Sequence, residues 1–457
     1  MNRISFPWTN LWTLAVSGTG MWLVLRDSTH RVNWFSVAVL GLAFSIALWQ
    51  IICAAKVGLD GDRQNYVKDP GRFYLRALKL LWSQEWLLGV LLLVFLLDTA
   101  DNVVQLMHTR VLRPQLFASS PHLHMTLADY LRNHLSHAVA AYAGTSLNLF
   151  FPNIRLTRSF EVSTLSAYVL AALFLVANFR AKKSGQHTSN ILLITSLLNI
   201  TGAVALVGFI LRNIELTGQA EAVRAGQYYG QPSSYWIGII FLICRLVAAA
   251  VIPSVLMGGL LGSLKRNENG ESCTVITFAQ DACRFVGPLA GIYFAAYILS
   301  YQGFRSIVNS IFSPFLKARE LAGGPFTAVT HTVGPIIQVL LMFAPYLVVL
   351  CATRAWPSIK AGWRLWLSNA KTVLPFVAFG VTLITLLPFV LAPLTIRTLG
   401  LRLGSSRAFW ELPVSAVWDL LTFVMTLAVW ELCRELVVPK PVPADTVKIN
   451  APGDQCQ

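Results

Sequence analysis

The sequence predicts an all-α, polytopic integral membrane helix bundle, with about nine to ten transmembrane helices and short interfacial amphipathic helices. Three observations predict it. Nine clear apolar stretches and an interrupted tenth are strung along the 457 residues, and the clear ones approach or exceed the ~20 residues that cross a ~30 Å hydrocarbon core as a helix. Charged residues make up only 12% of the chain, where a soluble domain carries about 25%, and the mean hydropathy is +0.59. Several of the fourteen Trp stand at stretch ends (Trp8, Trp34, Trp49, Trp86, Trp236, Trp410, Trp430), where an amphipathic ring sits at headgroup level.

The first stretch, 11–25, is interrupted by Ser17-Gly18-Thr19-Gly20 and reads as a marginal span or an interfacial helix. No convincing cleavage site follows it, so it does not read as a removable signal. The clear spans then run 33–55, 86–107, 162–179, 189–211, 235–261, 285–301, 329–352, 373–396 and 413–430. Basic residues gather in the loops, with somewhat more on the side that holds Arg3, Lys79, Lys183, Lys265, Arg354 and Arg434. That asymmetry puts both termini in the cytoplasm, and a bacterial inner membrane is the expected setting. On the same side, 72–84 and 360–369 alternate basic and apolar residues at helical spacing, as helices lying in the headgroup plane do.

Residues 108–160 form the longest non-cytoplasmic loop, and its part from His137 to Phe151 is mildly apolar, enough to dip back into the bilayer. The transmembrane domain occupies 1–436. The remainder, 437–457, carries Pro439, Pro441 and Pro443 and reads as a disordered tail. Pro253, Pro288, Pro345 and Pro388 are placed to kink or break helices. Gly258-x-x-x-Gly262 is a close-packing signal, and Asp281 and Arg284, three apart, are spaced to satisfy one another.

The net charge of +15 would suggest nucleic acid in a soluble protein. Here the cations flank apolar stretches, so the expected partners are the lipid bilayer and anionic lipid headgroups, with no nucleic acid. Seven Cys are scattered without a C-x-x-C pair. They read as buried thiols rather than a disulfide or zinc framework.

The residues that could carry chemistry fall in three places. Asp98, Asp101, Asn102, Gln105 and His108 continue an apolar run at helical spacing and share one face. Facing a bundle interior, they would make an intramembrane site for a proton or cation, and two close carboxylates would raise one pKa. As the outer end of a helix that starts near Leu75, the same residues would only be a polar cap. Arg245 follows a charge-free run inside a span and calls for a buried partner, an anion or a watery pocket. Five of the eight His lie between His108 and His137. His122, His124, His134 and His137 offer imidazoles to a divalent metal, although their spacing matches no established enzyme motif.

The sequence lacks H-E-x-x-H, G-x-S-x-G and the P-loop pattern, so the catalytic reading is the weakest. A transporter or transport accessory leads. A non-catalytic membrane-organising or assembly subunit comes second, and a metal-dependent membrane enzyme third.

Overall fold

The computed structural model describes residues 8–26, 33–60, 69–92, 94–95, 126–152, 233–299, 325–393 and 405–437. Every regular element among them is a helix. The chain order is α1 (Trp8–Arg26), α2 (Trp34–Asp60), α3 (Gly71–Ser83), α4 (85–92), α5 (Leu127–Asn133), α6 (Leu135–Ser146), α7 (Ser233–Glu268) and α8 (Val275–Ile298). Then come α9 (Pro325–Leu340), α10 (Ala344–Leu350), α11 (Ala355–Ser368), α12 (Ala370–Thr385), α13 (Leu387–Val390) and α14 (Ser405–Val437).

Four stretches among these residues are long and apolar enough to cross a membrane: Trp34–Ala54, Thr332–Leu350, Ala370–Val390 and Ala416–Val437. The expected count of nine to ten is therefore not established. The stretches 162–179 and 189–211 lie outside the described residues, as do 96–107 and the tail beyond 437. The interrupted first stretch forms α1, whose buried face is mostly polar and small, with Asn10, Thr13, Ser17 and Gly20 followed by Val24. Its hydroxyls are satisfied along the helix, with Thr13 donating to the Thr9 carbonyl and Ser17 to the Thr13 carbonyl.

The prolines divide into two kinds. Pro253 and Pro288 lie inside α7 and α8, which run on past them. Pro345 and Pro388 instead open new helices after a break. The Leu341 carbonyl has no N–H to accept from at Pro345, and takes that of Ala344 at 3.0 Å. The apolar window Thr332–Leu350 thus comprises α9, a three-residue turn and α10.

Packing follows residue size. α7 and α8 form an antiparallel pair in which a Cβ added at Gly258 would lie 3.2 Å from Ala282 Cα. One added at Gly262 would overlap the Asp281 side chain. The Gly258/Gly262 spacing therefore marks a genuine close approach of two helices. α1 and α2 form a second hairpin, and α12 packs across it and against α6.

Residues 135–151 pack into the bundle rather than over it. Ser36 donates to the Ala140 carbonyl (2.6 Å), Tyr142 meets Trp418 edge-on, and Phe150 and Phe151 are fully buried. Together with α5, the segment reaches from the Pro388 carbonyl, which accepts from Tyr130 of α5 (3.2 Å), to the ring of Phe376 against Phe150. That is about 18 Å along the α12–α13 axis at helical rise. Buried phenols fasten other elements in the same way: Tyr74 donates to the Phe376 carbonyl and Tyr346 to the Thr426 carbonyl, both at 3.0 Å, and Tyr293 to the Pro152 carbonyl.

Gly262→Ala should lower the unfolding free energy by about 1–3 kcal/mol through overpacking, read as a shift in thermal unfolding of the detergent-solubilised chain. Gly89→Ala, with open space around its Cβ, should be neutral or stabilising by up to about 1 kcal/mol.

Candidate functional site

The ion pairs among the described residues gather at one end of the bundle. Thr9 donates to Asp69 at 2.5 Å, and Asp69 also accepts from the Gly71 amide at 3.0 Å, which caps the first turn of α3. Arg72 and Arg76, on α3, then reach Glu435 on the last turn of α14 at 2.6 and 3.2 Å. Beside it, Arg434 bridges Glu268 of α7 (2.7 Å) and Glu431 (3.2 Å), and the Trp430 indole N–H donates to the same Glu268 carboxylate at 3.1 Å. Lys265 donates to the carbonyls of Val349 and Leu350 at 2.8 and 3.0 Å, capping the C-terminus of α10.

The most enclosed pair is Arg266 with Asp281. Nε meets Oδ2 at 2.6 Å and Nη2 meets Oδ1 at 3.1 Å, a two-bond fork that joins α7 to α8. The Asp281 side chain is 4% exposed and the Arg266 side chain 28%. Hydrogen bonding to Asp281 raises the guanidinium pKa against the opposing effect of burial. Glu271 supplies a second, outer contact at 2.8 Å. Next to this pair the Cys273 thiol donates to the Ser263 carbonyl (3.2 Å), and its pKa is pushed up, first by burial and then by the Asp281 charge. On α3, burial likewise holds the Tyr74 phenol well above its ordinary value.

This geometry corrects one expectation. Sequence spacing pairs Asp281 with Arg284, but Asp281 takes Arg266 across the helix pair, and the Arg284 guanidinium lies over the Phe285 ring at 5.3 Å. The reason is steric. Gly258 and Gly262 bring α7 so close that Asp281 Cβ faces α7 itself, within reach of the Arg266 fork.

The residues singled out from sequence are not brought together by what is described. Asp98, Asp101, Asn102, Gln105 and His108 lie outside the described residues, as do His122 and His124. Arg245 falls within α7, and its side chain lies outside the description. His134 is half-buried at the junction of α5 and α6, where its amide donates to the Tyr130 carbonyl at 2.9 Å; His137 is exposed one turn on. Among the described residues, no group of three His, Cys, Asp or Glu side chains is placed to hold a metal ion.

Sequence reasoning missed Glu268, Glu431, Glu435, Arg434 and Arg72 as a connected set. A signal existed: Glu431, Arg434 and Glu435 are charges in the last turns of a long apolar helix, and such charges need partners. The partners lie 166 and 363 positions away in the chain, beyond any local spacing rule. Chemically, the arrangement clamps helices. Its arginines are shared among carboxylates, and Lys265 is taken up by main-chain carbonyls.

Comparison with known protein families, with characterised proteins and with solved structures finds no match to this chain.

The Arg266–Asp281 fork should show a coupling energy of about 1–3 kcal/mol in a double-mutant cycle of Arg266→Gln and Asp281→Asn, measured by denaturation in detergent. Arg266→Gln should cost more alone than in the Asp281→Asn background, because it leaves a buried carboxylate without its counter-charge.

Proposed function

We propose that the chain is a multi-pass integral membrane protein that serves transport, as a transporter or an accessory to one. The observation that carries this reading is the polar row Asp98, Asp101, Asn102, Gln105 and His108 on one face of an otherwise apolar stretch. Carboxylates in such a row make sense where they face water or a transported cation rather than lipid. The interruptions before Pro345 and Pro388 support it. Broken helices inside an apolar window are tolerated where backbone faces protein or a cavity, and transport proteins use them to bind ions.

The arrangement of helix ends supports the orientation we propose, with both ends of the chain facing the cytoplasm of a bacterial cell. α1 begins beside Asp69 and α14 ends beside Arg72, so both lie at one end of the bundle. That end also carries Lys265 and Arg266, close to the Glu268 that Arg434 holds, in keeping with the excess of cations on cytoplasmic faces.

A second reading, a membrane-organising subunit without turnover, draws on α3 and α11. Both keep large apolar side chains on their open faces: Leu75 is 68% exposed, Trp82 73% and Trp356 64%. Such faces suit assembly at a membrane surface as well as transport.

Reconstituting the full chain in vesicles loaded with a pH-sensitive dye tests the first reading. Wild type should conduct protons or a coupled cation, and Asp98→Asn with Asp101→Asn should abolish nearly all of that flux while the protein still inserts. Unchanged flux in the double variant would remove the mechanism.

A further inference from the structure

We propose that α3 and α11 form an anionic-phospholipid binding collar, with a lipid-inserted apolar row and a phosphate-facing basic row on each helix. The inference rests on the membrane reading above and adds to it a specific ligand chemistry and the residues that meet it.

Each helix has three faces where a surface helix in water needs two. On α3, Phe73, Ala77 and Leu81 are buried against the bundle. Leu75, Leu78 and Trp82 are exposed and fall in one row at offsets of three and seven residues. Arg76 and Lys79 form a separate exposed row beside it. On α11, Ser358 and Gly362 make the buried face, with Gly362 packed on the Ala344 backbone. Trp356, Trp363 and Leu367 are exposed in one row, and Lys360 and Arg364 in the next.

The order of the faces is the same in both helices. At ~100° per residue, the apolar row lies ~140° round from the buried face, and the basic row ~60–100° further in the same sense. A helix lying in the headgroup plane against the flank of a bundle has three such neighbours: protein beside it, acyl chains below and phosphates above. Two helices from distant parts of the chain meet that requirement with the same rotation.

Charge then selects the headgroup. Lys79 and Arg364 have no carboxylate partner among the described residues, and Lys360 lies over the Trp356 ring at 5.4 Å rather than on an acid. Arg76 already shares Glu435 with Arg72. Among the described residues of these two helices, the cations not shared with a carboxylate are therefore Lys79, Lys360 and Arg364, each rooted beside an apolar row that would set its height in the bilayer. Tryptophans in those rows favour the same level. Cations held there are matched by phosphates that bear a net negative charge, not by zwitterionic headgroups.

The test uses the full chain in nanodiscs containing phosphatidylcholine mixed with phosphatidylglycerol, with retained lipid counted by native mass spectrometry. Wild type should retain phosphatidylglycerol in excess of its share of the disc. Lys79→Gln, Lys360→Gln and Arg364→Gln together should lower that excess at least ~fivefold. Arg26→Gln, at the far end of α1, should leave it unchanged. Matching melting temperatures of wild type and triple variant in neutral detergent would show that the loss is not one of folding. Equal excess in wild type and the triple variant, or no excess in wild type, would overturn the collar. A chain that fails to enter the discs at all would overturn the membrane reading itself.

Discussion

A helix of about twenty apolar residues has no good solution in water unless other protein covers it, and this chain leaves much of its apolar surface uncovered. Only 28% of the Trp34–Ala54 window is buried inside the protein, against 78% of Ala416–Val437. The second figure is what a core helix shows in any solvent. The first, with Leu42, Leu48, Trp49 and Ile52 all open, requires an apolar surrounding. Lipid around α2 would supply the missing burial, and many of the remaining features follow from how buried polar groups find partners within the bundle.

Among the described residues, most buried polar groups are satisfied in one of two ways, although both amide atoms of Gln50 on α2 are buried without a partner. Inside the bundle, phenols and hydroxyls donate to main-chain carbonyls: Tyr74, Tyr130, Tyr293 and Tyr346 each fasten one element to another, while Thr13, Ser17, Thr422 and Thr426 bond back along their own helices. No formal charge is needed for any of them. At the end that holds Arg72 and Glu435, charges pair across helices. Lys265, Arg266, Arg434 and Arg72 each take partners on a different element. The division is energetic. A neutral hydrogen bond satisfies a donor in a dry interior at little cost, whereas an ion is tolerated where water or headgroups share its field.

Much of this was legible in the sequence, and the rest was hidden for identifiable reasons. Helical class and the apolar windows come from local composition, so 33–55 anticipates α2 to within a few residues and 72–84 anticipates α3. The Gly258/Gly262 contact was legible because small residues at that spacing have few other uses in an apolar helix. The prolines were only half legible. Sequence marks Pro253 and Pro345 alike, yet one sits inside a continuous helix and the other begins a new one, because the outcome depends on which neighbours accept the displaced backbone. The Arg266–Asp281 fork was hidden by a nearer decoy, Arg284. The choice between them is made by how closely α7 approaches α8. The carboxylates of the α14 terminus were visible as charges, but their partners are a property of the fold alone. The acid-and-histidine row at 98–108 remains a reading of spacing.

Hydroxyl-radical footprinting of the full chain in lipid nanodiscs tests the dependence on lipid most directly. Leu42, Leu48 and Ile52 are open on the protein surface, where surrounding lipid would shield them from water. The account predicts that they escape oxidation in the disc, while the exposed surface of α5 at the bundle end, Leu127 and Leu131, is oxidised. Oxidation of Leu42, Leu48 and Ile52 at the rate of those α5 leucines would show that water reaches α2, and would contradict the account.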